Sequence, residues 1–306
     1  MRHNRKVESF LEVNGILLLD KGSDMTSNRA LQLVKRLYRA KKAGHTGTLD
    51  LLATGLLPIC FGEATKISQY VLNSNKTYLA EVLLGYQSTT GDLNGSITRS
   101  FDHRKITIPN LLRAFKRFQG HYMQTPPMYS AIKVRGQALY KSAKKGINVN
   151  RKPRKVTFFK ISLKGFNYPI AKLEIRCSKG TYIRQFADDL GRFLGTKACL
   201  YRLRRLSSGP FEIQNAYTIK KLKEISEYGT HQLTNILIKP DTALSNLPAM
   251  SLSANQTEKV NQGQSLFVKD FSERGLIRLY NHRKDFFAIG EVSEDGRLKG
   301  KKILNV

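Results

Sequence analysis

Acidic residues are scarce in this chain: 23 Asp and Glu stand against 52 Lys and Arg over 306 residues, a formal net charge of +29. An excess of that size repels itself unless a polyanion is present, so a nucleic acid is the natural partner. An anionic membrane would be the other, but no amphipathic basic helix or lipidation signal is evident. A spanning segment is missing too. The longest apolar run, Leu49 to Phe61, is interrupted by Asp50, Thr54, Gly55 and Pro58. The basic stretch Met1 to Phe10 lacks the continuous apolar run of a signal peptide, and Gly15 to Leu19 is too short to supply one. The expected location is therefore the cytoplasm, with no membrane partner. Cysteine is rare as well: Cys60, Cys177 and Cys199 are widely spaced, with no C-x-x-C pair and no neighbouring histidines, so no zinc site is expected and all three read as reduced core residues. Neither G-x-x-x-x-G-K-[ST] nor G-x-G-x-x-G occurs, and nothing asks for ATP or NAD.

What is present is a globular composition, 41% hydrophobic, long enough for one large core and a small second domain. Gly15 to Leu19 reads as a buried strand closed by the turn residues Asp20 to Asp24. A helix follows, capped by Ser27 or Asn28, with Leu31, Val34 and Tyr38 on one face and Gly44 as its stop. Its other face carries Arg29, Lys35, Arg36, Arg39 and Lys42, open to two readings: phosphate contact or plain solvation. Alternation makes Thr77 to Leu84 a strand, helical spacing makes Pro109 to Phe118 a helix, and Leu173, Ile175 and Cys177 mark another strand. Thr181 is placed to cap a helix with the stripe Ile183, Phe186, Ala187 and Leu190, ended by Gly191. Strands and helices mix without a regular strand-helix-strand rhythm, which points to an α+β fold with a mixed, mainly antiparallel central sheet.

Two stretches differ in texture. From Thr125 to Lys155, Pro126 and Pro127 precede Lys133, Arg135, Lys141, Lys144, Lys145, Arg151, Lys152, Arg154 and Lys155, interleaved with Tyr129 and Tyr140. That is the pattern of an RNA-facing excursion or of a solvated insertion. After Leu247 and Pro248, short strand-like runs at Ser265 to Val268, Leu276 to Leu279 and Phe286 to Glu291 alternate with glycine and charged turns, the pattern of a small all-β appendage.

Gly44-His45-Thr46-Gly47-Thr48-Leu49-Asp50 gathers a histidine, two threonines and a carboxylate in a stretch too glycine-rich for regular structure. Read alone, Asp50 fits an N-cap as well as a catalytic carboxylate, and His45 fits a hydrogen-bonded loop histidine. The same stretch, continued by Leu52-Ala53-Thr54-Gly55-Leu56-Leu57-Pro58 and Gly62-Glu63-Ala64-Thr65-Lys66, resembles the catalytic motif of the TruB family of tRNA pseudouridine synthases. Leu18-Leu19-Asp20-Lys21, Lys76 and Tyr78, Gly91-Asp92, Pro127 to Lys133, Cys177 to Arg184, Asp188 to Gly191 and Leu203-Arg204-Arg205 carry the resemblance in the family's order, from about Gly15 to Pro210. Leu51 departs from it, standing where the family has proline, and Ser88-Thr89-Thr90 is less acidic than the family's stretch. Losing the proline frees the backbone after Asp50.

The resemblance implies a pseudouridine synthase fold: a catalytic domain over residues 1–247 with an RNA-binding thumb at about 124–155, and a small PUA-like RNA-binding domain over 248–306. It implies isomerisation of uridine 55 in the T loop of tRNA, reached by base flipping, with no cofactor and no metal. Asp50 matches the essential aspartate, Arg184 the arginine that pairs with it, and Tyr78 the aromatic packed on the target base. Tyr182 and Leu203 match residues lining the pocket, His45 the histidine that holds the rearranged T loop, and Lys21 and Lys133 phosphate contacts. The expected partner is the T arm of tRNA, with no obligatory protein partner and a monomeric state. Two rivals stand beside this reading: a tRNA-folding chaperone, for which the charge alone would suffice, and the related guide-RNA-directed synthase of ribosomal RNA, against which the short flanks and small C-terminal appendage argue.

Overall fold

In the computed structural model, residues 10–100, 106–130, 132–134, 136–268 and 271–305 are described. The basic residues 1–9, and Ala131 and Arg135 of the basic excursion, lie outside them. A ten-stranded sheet forms the centre. Its main path runs Tyr217–Thr218, Gly15–Lys21, Thr54–Phe61, Ala198–Ser208, Lys76–Leu84, Ile170–Cys177, Arg154–Asn167, Gly120–Gln124. Ala43–His45 and Phe211–Glu212 pair off that path, with Thr54–Phe61 and Ala198–Ser208 respectively. Among the described residues only two strand pairings of this sheet are parallel, Gly15–Lys21 with Tyr217–Thr218 and Thr54–Phe61 with Ala198–Ser208, so the fold is α+β on a mixed, mainly antiparallel sheet.

The sequence explains which strands lie deepest. Gly15–Lys21 and Thr54–Phe61 are near-continuous apolar runs because both faces are covered. Leu17, Leu19, Leu57 and Ile59 face the main core. Ile16, Leu18, Leu56 and Cys60 face a second cluster with Phe211, Ala243, Phe286 and Ile289. Lys76–Leu84 alternates as expected, burying Ala80, Val82 and Leu84 on one face. Across the sheet Arg204 forks onto Asp20 with two bonds of 3.0 and 2.7 Å, locking the strand Ala198–Ser208 to the first strand.

Helix ends differ from the sequence expectation. The first helix, Ser27–Leu37, is capped by Thr26, whose hydroxyl accepts from the Arg29 amide. It ends well before Gly44 because Arg39 takes a left-handed conformation, φ 50°, and Ala43–His45 then joins the sheet. Ser27, no longer a cap, turns inward: its hydroxyl donates to the Leu49 carbonyl at 2.9 Å and accepts from the Leu49 amide at 2.8 Å. The helix Ile183–Phe193 starts after Tyr182, while the Thr181 hydroxyl donates to the Ser178 carbonyl. Its start is fixed to the edge strand by Gln124, which donates to the Tyr182 carbonyl and accepts from the Tyr182 amide. Gly191 does not stop this helix; it lies inside it, where a Cβ would meet the Ala198 amide at 2.5 Å. Gly195, φ 73°, makes the turn.

The C-terminal part is β-rich but not all-β. Five strands, in the order Ala249–Ser251, Gly275–Tyr280, Phe286–Val292, Arg297–Ile303, Leu266–Phe267, form a separate sheet. A helix, Ala254–Asn261, closes its core with Val260 and opens on a capping box of Ser253 and Gln256. In the basic excursion Lys133–Val134 pairs with Gln137–Ala138, and the short helix Leu139–Lys144 follows.

Gly191→Ala sets propensity against sterics. Alanine gains up to about 1 kcal/mol of helix propensity, but the close approach to Ala198 turns that gain into an overpacking cost of about 1–3 kcal/mol. The expected outcome in urea unfolding is a lower midpoint than the parent.

Candidate active site

The loop carrying Asp50 is built by its neighbours. Thr46 bonds the Pro58 carbonyl through its amide, at 3.0 Å, and its hydroxyl, at 3.3 Å. Leu49 is held on both sides by Ser27. The Ala53 amide then closes a turn on the Asp50 carbonyl. No helix begins there: the chain passes straight into Thr54–Phe61, so Asp50 is not an N-cap. Its side chain is 43% exposed and reaches solvent. Leu51 beside it is exposed.

Arg184, at the start of the helix Ile183–Phe193, is 5% exposed and directed at this loop. Its Nε lies 2.8 Å from Asp50 Oδ2 and 3.6 Å from Asp92 Oδ2. Its other nitrogens donate to the Thr90 carbonyl at 3.0 Å and the Tyr129 carbonyl at 2.8 Å. A cation at a helix N-terminus is disfavoured by the dipole, and here two carboxylates offset it. Asp92 is buried and accepts from the Thr90 hydroxyl at 2.7 Å and the Asn94 amide at 3.0 Å. Arg184 also borders a polar pocket of about 310 Å³ that it shares with Thr90, Tyr129, Arg151, Gln185 and Asp188. Burial pushes the Asp50 carboxyl above its ordinary value, against the downward pull of Arg184, with Asp92 adding to the rise.

The other expected site residues fall around this pair with one exception. Tyr78 is close enough to Asp50 to feel its charge; burial raises its phenol, and Arg205, its strand partner, opposes that rise by charge and hydrogen bond. Tyr182 precedes the Arg184 helix and also feels Asp50, its phenol raised first by burial. Leu203, opposite Ala80, is buried two residues along the strand from Arg205, the partner of Tyr78. His45 is half-buried on Ala43–His45; burial, then Arg205, lowers its pKa, and its Nδ1 has no hydrogen-bond partner among the described residues. Lys133 stands apart, exposed on the basic excursion.

Lys21 departs from the expectation of a phosphate contact. It is fully buried, and its ammonium donates to the carbonyls of Gly22 at 2.9 Å and Met25 at 2.7 Å. Burial lowers it to about 8, with the Asp50 carboxylate pulling the other way. Asp92, Ser27 and Arg205 were not assigned roles from the sequence. Asp92 and Arg205 did lie within the matched motifs; Ser27 carried only the signal of a helix start. Among the described residues no group of three or more His, Cys, Asp and Glu could hold a metal, and no helix is long and apolar enough to cross a membrane.

The mixed, mainly antiparallel sheet with its β-rich C-terminal part is the pseudouridine synthase fold. The chain belongs to the TruB family: the TruB family pseudouridylate synthase N-terminal domain matches residues 35–183, and the tRNA pseudouridylate synthase B and pseudouridine synthase II TruB C-terminal domains match 184–245 and 248–304. It is 42% identical over 296 residues to the tRNA pseudouridine synthase B of Ectopseudomonas mendocina, covering 96% of both chains. The tRNA pseudouridine synthase B of Methylobacillus flagellatus is 42% identical over 292 residues, 95% of each. Among solved structures, an H/ACA RNP bound to a substrate RNA containing 2′-deoxyuridine has the same fold, with TM-score 0.74 at 20% identity, over 100% of this chain and 94% of that one. A Cbf5-Nop10-Gar1 complex gives TM-score 0.74 at 20% identity, over 98% and 92%.

The raised Asp50 carboxyl sets the sign of the acid response. As pH falls, Asp50 takes its proton earlier than an ordinary carboxylate, so the rate of pseudouridine formation should begin to drop above the usual carboxylate range. In Arg184→Met that acid limb should move further up, since the guanidinium that holds Asp50 down is gone. Rate against pH for both proteins checks it. Arg184→Lys keeps the charge but not the four-way fork, and the resulting misplacement should lower the rate about 10²-fold.

Proposed function

We propose that this chain isomerises uridine 55 in the T loop of tRNA to pseudouridine, with Asp50 as the catalytic carboxylate. The observation that carries the reading is the 2.8 Å pairing of Asp50 with a buried Arg184 in reach of Tyr78, in a chain whose 42% identical relatives are named tRNA pseudouridine synthase B. A uridine extruded from the T loop would meet the exposed edge of Asp50, pack on Tyr78 and be lined by Tyr182 and Leu203. The carboxylate is suited both to attack the sugar C1′ and to take the C2′ proton. The N1 to C1′ bond breaks, the uracil turns, and C5 bonds to C1′. The proton of C5 is lost and N1 gains one, so the isomerisation balances without a cofactor.

RNA is held by charge. His45 would support the rearranged T loop and Lys133 a phosphate, the basic excursion at 124–155 acting as the thumb. Residues 1–247 form the catalytic domain in this reading and 248–306 a small PUA-like RNA-binding domain, where Arg297, Lys299, Lys301 and Lys302 crowd one strand. The enzyme works as a cytoplasmic monomer without an obligatory protein partner. A tRNA-folding role could coexist, but binding alone has no need of a half-exposed carboxylate paired with a buried arginine. A guide-RNA-directed role has only the fold-level likeness at 20% identity behind it.

Asp50→Asn should bind unmodified tRNA within about threefold of the parent and form no pseudouridine, because the substitution removes charge but little volume. Retained turnover, read by mapping pseudouridine in the product, would reject the assignment. With +29 to neutralise phosphates, affinity for tRNA should fall about tenfold or more between 50 and 200 mM salt through counterion release. A filter-binding titration checks it.

A further inference from the structure

Arg205 is 1% exposed, and among the described residues it forms no ion pair with a carboxylate. Burying an unpaired guanidinium is costly, and an apolar side chain of similar volume would fill the space without that penalty. Stability alone gives no reason for a cation here. Its donors show where it is used: Nε donates to the Leu56 carbonyl at 2.6 Å and Nη2 to the Gly47 carbonyl at 3.0 Å. Those carbonyls bracket the loop that carries Asp50.

The backbone repeats the grip. Arg205 pairs in parallel register with Gly55, so closely that a Cβ on Gly55 would meet the Arg205 carbonyl oxygen at 2.4 Å. At the other end Gly47 has φ 120°, and Arg205 Nη1 would stand 3.6 Å from a Cβ there. The same residue lies opposite Tyr78 in the strand register, and its charge pulls the pKa of the Tyr78 phenol down against the rise that burial causes. A register shift between Arg205 and Ser207 marks a bulge at this point of the strand, a device that re-aims side chains beside active sites.

We propose that Arg205 is a positioning residue that sets Asp50 and Tyr78 at a fixed separation, one guanidinium holding both ends of the carboxylate loop while its backbone pairs with Tyr78 across the sheet. It touches no substrate. The inference rests on Asp50 being the reacting carboxylate, and the controls below separate the two.

Arg205→Met and Arg205→Lys, in the full chain, are compared with the parent by single-turnover pseudouridine formation on unmodified tRNA with enzyme in excess. Filter binding and thermal melting accompany each. R205M should lose about 10²-fold in rate constant, the scale of a misplaced catalytic group, while its affinity for tRNA stays near that of the parent. R205K should recover part of the rate at neutral pH, because an ammonium can reach one of the carbonyls. That recovery should fade as pH rises, since a buried ammonium sheds its proton where a guanidinium does not. The neighbouring Lys21 and Lys76, both lowered to about 8 by burial, show the range in which this occurs. A folded R205M with the parent rate overturns the proposal. So does an R205M that loses rate and tRNA affinity by the same factor, or an R205K-to-parent rate ratio that is flat with pH. If R205M does not fold, that ratio decides. An inactive D50N beside a fully active R205M rejects the positioning role alone, whereas an active D50N rejects the reading of Asp50.

Discussion

Arg184 is the interaction on which the site depends. One guanidinium, sealed from water, meets Asp50, Asp92, the Thr90 carbonyl and the Tyr129 carbonyl, groups drawn from three separate stretches of chain. Removing one partner of such a buried network costs about 3–5 kcal/mol, because the remaining charge is left uncompensated. The arrangement is therefore expensive to build, and it keeps a half-open carboxylate charged in a place where burial pushes toward protonation. A stable fold alone would not require that.

The surrounding elements serve the same pair. The sheet places Tyr78 and Arg205 opposite one another, Ser27 tethers Leu49 from the first helix, and Gln124 ties the start of the Arg184 helix to the edge strand. Each tie ends on main chain rather than on another side chain, and main-chain positions move least. The carboxylate is thus aimed by backbone geometry, with rotamer freedom removed at the arginine.

Much of this was legible in the sequence, for identifiable reasons. Period-two alternation revealed Lys76–Leu84 and Ile170–Cys177, and the seven residues from Gly44 to Asp50 carried a resemblance specific enough to point at Arg184 and Tyr78. What was hidden follows from local ambiguity. Glycine serves both as a helix stop and as a point of close approach, and Gly191 is the second. Arg39 takes a left-handed turn that glycine usually takes, so the first helix is shorter than its apolar spacing and Gly44 suggest. The helix Ala254–Asn261 buries a single Val260 and offers no apolar stripe to detect. Lys21 and Arg205 look like surface charges in a chain with so many, and only packing shows that their ammonium and guanidinium groups are spent on carbonyls inside.

The Tyr129 carbonyl has a consequence for how this family of chains can vary. It anchors Arg184 from the root of the basic excursion, so the stretch that begins the excursion is tied to the Asp50–Arg184 pair. Length changes there would swing the guanidinium, whereas the hairpin and short helix beyond can lengthen, shorten or exchange their lysines while the carboxylate keeps its aim.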